Sequence, residues 1–186
     1  MRHLLAVVLC SSILTPAAMA AQPEWGRDGG PRIRLQDQRL TDLLQAGLSR
    51  SATLRALVDR IEASNVIVYA SLSPLMKPSL AGKLTWMTRA GVFRYLRASI
   101  NAELTADQII STLAHELQHA VEVIEDERVV DQRSLVELYK RIGRPSSSAV
   151  PSGWETLAAQ QAGQRVRREL VAVAAAALRS VENGQM

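Results

Sequence analysis

The sequence predicts an α+β fold, on the strength of three observations. β-Branched and aromatic residues cluster in residues 65–71, which is typical of a strand. Residues 83–100 have the pattern of a hairpin, with a turn at Ala90-Gly91. The segments on either side of this region repeat apolar residues at helical spacing. We therefore expect a small three-stranded sheet, antiparallel or mixed, combined with several helices.

Two short helices are expected before the first strand. Apolar residues recur there every three or four positions, with a break at residues 49–51, in the two sets Leu40, Leu43, Leu44, Leu48 and Leu54, Leu57, Val58, Ile61. After the strand, residues 73–82 contain two prolines and a glycine and are predicted to form a loop.

A further helix follows the hairpin, and its start is well marked. Thr105 and Gln108 have the spacing of a capping box, and Asp107 suits the positive end of the helix dipole. Counted at about 100° per residue, the apolar positions of this helix fall within about 120° of one another. His115 and His119 fall on the opposite side, so they are not predicted to be core histidines.

Two more helices are expected towards the C-terminus. Residues 130–142 form the first, which Gly143 and Pro145 end. After a loop at residues 145–153, a long helix is predicted to start near Trp154, with an apolar stripe at Ala158, Ala162, Val166, Val173 and Ala177.

The first twenty residues read as a signal peptide. They combine a basic start, an apolar run and the A-x-A cleavage site Ala18-Met19-Ala20. Leu9 precedes Cys10 where a lipoprotein signal would need a small residue, which favours a soluble exported protein, periplasmic or secreted, over a lipid-anchored one. Residues 21–31 are predicted to be a flexible leader, and residues 32–186 a single domain.

Composition excludes several function classes. Cleavage would remove the only cysteine, so no disulfide or thiolate site is expected. The net charge of +4 would fall by one with Arg2 and is scattered along the chain, which argues against a nucleic-acid partner. The apolar stretch at residues 170–178 is far shorter than the roughly 20 residues of a membrane span. Oligomeric state is left open.

The segment His115-Glu116-Leu117-Gln118-His119 is the H-E-x-x-H pattern. On a helix, residues four apart lie on one face, so both imidazoles can bind one metal ion while the glutamate between them faces a bound water. The pattern predicts His115 and His119 as metal ligands and Glu116 as a general base. The competing interpretation is a pair of polar residues on a solvated face.

A catalytic zinc site needs a third protein ligand, and because residues 21–186 contain no thiol and no further histidine, it must be a carboxylate. Our choice is Glu155, which falls within the apolar stripe of the long helix, where an unpaired charge would be costly. The alternative for Glu155 is simple stabilisation of a first helical turn. Glu122 lies on the same helix face as the histidines but is better suited to a position beside the metal ligands than to metal binding itself. Glu169 is a weaker candidate for the third ligand.

These residues carry a resemblance to the zincin metallopeptidases, in particular the gluzincins, in which a glutamate on a later helix completes the HExxH site. The match consists of His115, Glu116, His119 and Glu155 and extends over roughly residues 83–175. The chain is also similar to small exported bacterial proteins of unassigned function that carry HELQH and a downstream ET-x-x-A segment.

The resemblance implies a zincin-like domain with one Zn²⁺ per chain, a peptide or protein substrate, and a mixed sheet whose edge strand aligns an extended peptide. Residues 92–100 are the expected edge strand. One departure is Ala159, where many gluzincins have an acidic residue.

Three functions are weighed on this basis. The first is an exported zinc metallopeptidase in which Glu116 activates the water. Tyr139, Tyr95 and the arginines are then possible oxyanion donors, although Tyr139 also fits a packed apolar stripe. The second is a non-catalytic, zinc-binding exported protein that holds a peptide or partner on the same scaffold. The third is a mostly helical protein without metal, which would require Glu155 to lie away from His115.

Overall fold

The computed structural model describes residues 30–145 and 153–184. The elements of this part, in chain order, are β1 (Ile33–Leu35), α1 (Gln38–Arg50), α2 (Ala52–Glu62), β2 (Val66–Ser73), β3 (Gly82–Ala90), β4 (Phe93–Asn101), α3 (Ala106–Glu125), α4 (Gln132–Ile142), β5 (Arg144–Pro145), β6 (Trp154–Glu155) and α5 (Leu157–Gly184). The fold is therefore of the mixed α+β class, as predicted. The predicted signal peptide, most of the leader and residues 146–152 of the predicted loop lie outside the described residues.

The helices form largely where the sequence predicts them, because their end signals are local. α3 begins after Thr105, and both hydrogen bonds of the predicted capping box are present. α4 begins two residues later than predicted, since the Asp131 side chain accepts the backbone N–H of Ser134 at 2.7 Å and caps the helix.

The main sheet has four strands in the order β1-β2-β4-β3. β1 and β4 each run parallel to β2, and β3 runs antiparallel to β4, so the sheet is mixed. The predicted hairpin is present, with Gly91 at φ 57° in its turn, where a side chain would be strained. β1 was not predicted, because three residues are too few to show the two-residue period of a strand. β5 and β6 form a separate two-stranded antiparallel sheet.

The expectation that residues 92–100 form the edge strand was wrong. β4 lies between β2 and β3, and the edge strands are β1 and β3. The two arms of a hairpin have similar local sequence patterns. Which arm becomes an edge strand is therefore decided by which arm pairs with β2. That pairing is a long-range contact, which the parallel register Val66↔Arg94 to Ser73↔Asn101 establishes here.

One face of the sheet and the helices enclose the core. Its fully buried large residues include Leu96 and Ile100 from the sheet, and Ile109, Leu113 and Leu117 from α3. α3 contacts the sheet, α1 and α2, and α5 packs along it. The histidine face of α3 consequently meets α5 and the short strand that precedes it.

No helix in the described part of the chain combines the length and apolar character needed to cross a membrane.

Candidate metal centre

The two histidines of α3 lie one helical turn apart and their rings meet edge to face, with centroids 4.9 Å apart. Other elements cover this side of the helix. His119 is only 5% exposed, and its ring packs against that of Tyr139 from α4 with centroids 5.2 Å apart. His115 is partly exposed. The pair is thus not displayed on a solvated face; both residues line a cleft.

Glu155 reaches this site from a position that differs from the predicted one. It lies on the two-residue strand β6 and not in the first turn of the long helix, because α5 begins only at Leu157. Thr156 ends the strand and caps α5, with its Oγ1 accepting the backbone N–H of Ala159 at 3.1 Å.

The later start of α5 also corrects the predicted stripe. The buried positions of α5 are Ala159, Ala162, Val166 and Leu170, whereas Ala158 and Val173 are exposed. The angular argument that placed Glu155 on the inward face of a helix was therefore wrong. Ala159 is completely buried, so this chain has an apolar contact where many gluzincins have an acidic residue.

The Glu155 carboxylate nevertheless contacts the histidine pair. Its Oε2 lies 3.2 Å from Nε2 of His115. One ligand atom from each of His115, His119 and Glu155 can be chosen so that all three lie within 4.8 Å of one another. The expectation of a protein in which Glu155 lies away from His115 is not met.

These distances can be compared with what a metal requires. Tetrahedral zinc with bonds of about 2.0–2.1 Å places its ligand atoms about 3.3 Å apart. The His115–Glu155 pair already has this spacing, and the widest pair would have to close by at most about 1.5 Å. In the described ranges, no other group of three histidine, cysteine, aspartate or glutamate side chains meets the same distance criterion.

A second layer of hydrogen bonds orients His119. Its Nδ1 donates to Oε2 of Glu122 at 2.8 Å, and the hydroxyl of Thr156 donates to Oε1 of the same carboxylate. Because Nδ1 is engaged, His119 presents Nε2 to the centre, as metal-binding histidines commonly do. Glu122 therefore lies beside the centre as an outer partner of His119, and its carboxylate is also bound by Thr156, the residue that follows Glu155.

Sequence reasoning missed Thr156, although a signal was present. A threonine directly before an apolar-periodic segment is a common N-cap. Applied to Thr156, this rule would have placed the start of α5 at Leu157 and Glu155 outside the helix.

The ionisable groups of the centre shift one another's pKa values. Burial opposes a charge on His115, but its hydrogen bond to Glu155 and the nearby Glu116 carboxylate outweigh burial and raise the pKa of His115. Burial would likewise favour a neutral Glu155, but His115 outweighs it and lowers the pKa of Glu155. Each of the two residues therefore favours the charged form of the other.

Glu116 lies beside this pair and is almost fully buried, at 4% exposure. Burial raises the pKa of its carboxyl group, although the two histidines oppose the shift. A glutamate with a raised pKa is suited to accept and return a proton near neutral pH. Its Oε1 occupies space beside Gly82 of β3, where a Cβ atom would lie 2.6 Å away.

The remaining candidates have other partners. The Tyr139 hydroxyl donates to the backbone carbonyl of His119 at 3.2 Å, so it stabilises α3. Tyr95 stacks on Tyr69, with ring centroids 6.5 Å apart, on the sheet face away from α3. Glu169 accepts hydrogen bonds from Ser51 and Thr53 at the start of α2.

The cleft above the centre has two compartments, which share Leu80, Gly82, Glu116 and Glu155. The first, of about 300 Å³, is mainly apolar and is called the apolar compartment; its other walls include Leu84, Leu135, Val136 and Trp154. The second, of about 340 Å³, is called the polar compartment; its other walls include Ser111, Thr112, Gln160, Gln164 and Arg167. The edge strand β3 borders both.

Comparisons of the chain with protein families, with curated proteins and with solved structures gave no match. The geometry of the centre is therefore the basis for any functional assignment.

Proposed function

We propose that this protein is an exported zinc metallopeptidase with a zincin-like scaffold, in which one zinc ion binds to His115, His119 and Glu155. The observation that carries the proposal is the convergence of these three side chains within 4.8 Å, with the buried carboxylate of Glu116 beside them. Two imidazoles and one carboxylate, without thiolates, form the donor set of many catalytic zinc sites.

The residues present fit a zinc ion. The Glu122 carboxylate holds His119 in the orientation that leaves Nε2 available, and the His115–Glu155 contact already has the ligand spacing. Zinc bound there would supply Lewis acidity, polarising a scissile carbonyl and lowering the pKa of a water molecule towards about 7.

Glu116 provides the proton transfers. Its Oε1 accepts the proton of the attacking water, and the same oxygen then returns the proton to the nitrogen of the departing amine. Burial, which raises its pKa, favours this two-way transfer. The free edge of β3 offers backbone N–H and C=O groups to which an extended peptide can add as a further strand.

Export is proposed from the sequence of residues 1–20, which has the parts of a cleavable signal peptide. Expression of the full chain followed by N-terminal sequencing of the secreted or periplasmic form tests it. A mature N-terminus at Ala21 is expected, and retention of an uncleaved Met1 would contradict it.

Metal content and activity are tested separately. The protein from residue 21 onward should carry about one zinc per chain, and His119→Ala and Glu155→Ala should lose it, while Glu103→Gln, which changes an exposed carboxylate, should retain it. A chelator should stop the cleavage of an unstructured protein. Glu116→Gln should keep the zinc and lose the cleavage; a fully active Glu116→Gln variant would refute the mechanism.

One observation favours the second candidate, a non-catalytic zinc-binding protein that holds a peptide. The Tyr139 hydroxyl, a natural donor to a developing oxyanion, is already bound to the His119 carbonyl. This candidate predicts zinc and peptide binding without cleavage, in the wild type as in Glu116→Gln.

A further inference from the structure

Each compartment of the cleft has one lysine or arginine in its wall, Lys83 in the apolar compartment and Arg167 in the polar compartment, and both residues are exposed. Glu116 and Glu155 lie where the compartments meet, and Arg167 is the basic side chain in the wall of the polar compartment. Arg167 comes from α5, and its side chain is exposed to solvent. A peptide that crosses the centre along β3 would therefore have a mainly apolar wall with the Lys83 ammonium group on one side of its scissile bond, and a polar wall with the Arg167 guanidinium group on the other.

The position of Arg167 on α5 sets its distance from the reaction. Gln160 lines the polar compartment together with Glu155 and so marks the end of α5 that lies at the metal centre. Arg167 follows seven residues later, two turns along the same helix face, which corresponds to a rise of about 10 Å. An extended peptide advances about 3.3 Å per residue. The rise along α5 from Gln160 to Arg167 therefore equals the length of about three extended peptide residues.

Arg167 has no protein partner in the described ranges. No hydrogen bond or ion pair joins it to a carboxylate there, and the two acidic groups of its compartment have other contacts. Glu155 pairs with His115 at 3.2 Å, and Glu116 is buried beside Gly82. Glu169, the acidic residue nearest to it in sequence on α5, accepts hydrogen bonds from Ser51 and Thr53.

We propose that Arg167 binds a carboxylate of the substrate and makes the protein selective for peptides with a negative charge on the side of the polar compartment. The guanidinium group presents paired N–H donors that match a carboxylate in a bidentate arrangement. The carboxylate can be an aspartate or glutamate side chain or the C-terminus of a short peptide, since both offer the same two oxygens. This inference rests on the proposed function, because it assigns selectivity to the same cleft.

Peptide binding tests this selectivity without requiring turnover. The protein is zinc-supplemented Glu116→Gln, and the probes are fluorescent octapeptides of alanine, glycine and one leucine, with glutamate or glutamine placed in turn at each position. Each peptide is prepared with a free and with an amidated C-terminus. A partly exposed ion pair predicts that the preferred carboxylate improves Kd by about 5-fold. Loss of the preference on amidation identifies the C-terminus, and loss on change of glutamate to glutamine identifies a side chain.

Variants of α5 assign the effect to one residue. Arg167→Gln should remove the preference while leaving the affinity for neutral peptides unchanged, and Arg167→Glu should reverse it towards peptides that contain lysine. Arg168→Gln is the matched control, because it removes the same charge from the adjacent residue, which does not line the polar compartment. Peptides that bind with no charge preference, or a preference that survives in Arg167→Gln, would overturn the role of Arg167. Failure to bind any peptide would overturn the proposed function together with it.

Discussion

The substitution Glu122→Gln should weaken zinc binding without changing any of the three ligands. Glu122 is buried, and Nδ1 of His119 donates to it at 2.8 Å. Glutamine keeps the shape of the side chain and one carbonyl acceptor but removes the negative charge that strengthens the bond.

The magnitude follows from the type of hydrogen bond. A hydrogen bond to a charged group contributes about 1.5–3 kcal/mol and a neutral one about 0.5–1.5 kcal/mol. The difference of about 1–1.5 kcal/mol corresponds to a roughly 5- to 13-fold loss of zinc affinity. This range overlaps the loss of about 10- to 100-fold that is typical when an outer partner of a metal-binding histidine is removed.

The assay is a competition titration in which the protein and a chromophoric chelator compete for zinc at fixed pH. Glu125→Gln is the control, since Glu125 lies on the same helix but pairs with Arg60 at the surface, 2.6 Å away. If Glu122→Gln binds zinc as tightly as the wild type, or if Glu125→Gln weakens binding equally, the proposed role of Glu122 is refuted.

Two further predictions concern Glu116 and the end of α3. Gly82→Ala places a Cβ atom 2.6 Å from Oε1 of Glu116, so kcat for peptide cleavage should fall about 10- to 100-fold through displacement of this carboxylate; zinc content, measured in parallel, should stay at the wild-type value. Asp126 accepts hydrogen bonds from Arg128 and Arg141, which hold the pKa of its carboxyl group far below the usual range. A depressed pKa stabilises the fold above about pH 4, the ordinary value for aspartate, and this contribution disappears as the pH falls. Asp126→Asn should therefore lower the free energy of unfolding at pH 7 by no more than about 1 kcal/mol, as for a solvent-screened ion pair, and the difference should narrow in urea titrations below pH 4. A difference that grows with acidity would contradict this assignment.

Local sequence signals predicted much of this fold. The capping box at Thr105 and the turn at Gly91 depend on neighbouring residues alone, and both are present. The prediction of α1 and α2 likewise needed only apolar residues at helical spacing. What the sequence could not supply was the order of the strands, because the pairing of β2 with β4 joins segments that a loop and β3 separate.

The candidate site was likewise predicted in part, where local spacing alone was sufficient. His115, Glu116 and His119 were predicted from their spacing, and α3 does place them together. Glu155 was chosen for a reason that the structure overturns, since it lies on a strand outside the helix that Thr156 caps, and contacts His115 directly. The burial of His119 was not anticipated, because it depends on α4 and α5 packing over a face that looks polar in isolation.

The central claim is that His115, His119 and Glu155 bind one zinc ion, and a crystal structure of the zinc-loaded protein with anomalous data at the zinc edge tests it most directly. The predicted result is a single strong peak about 2.0–2.2 Å from Nε2 of each histidine and from one carboxylate oxygen of Glu155. A peak elsewhere, no peak, or a zinc ion that binds the histidines but not Glu155 would contradict the claim.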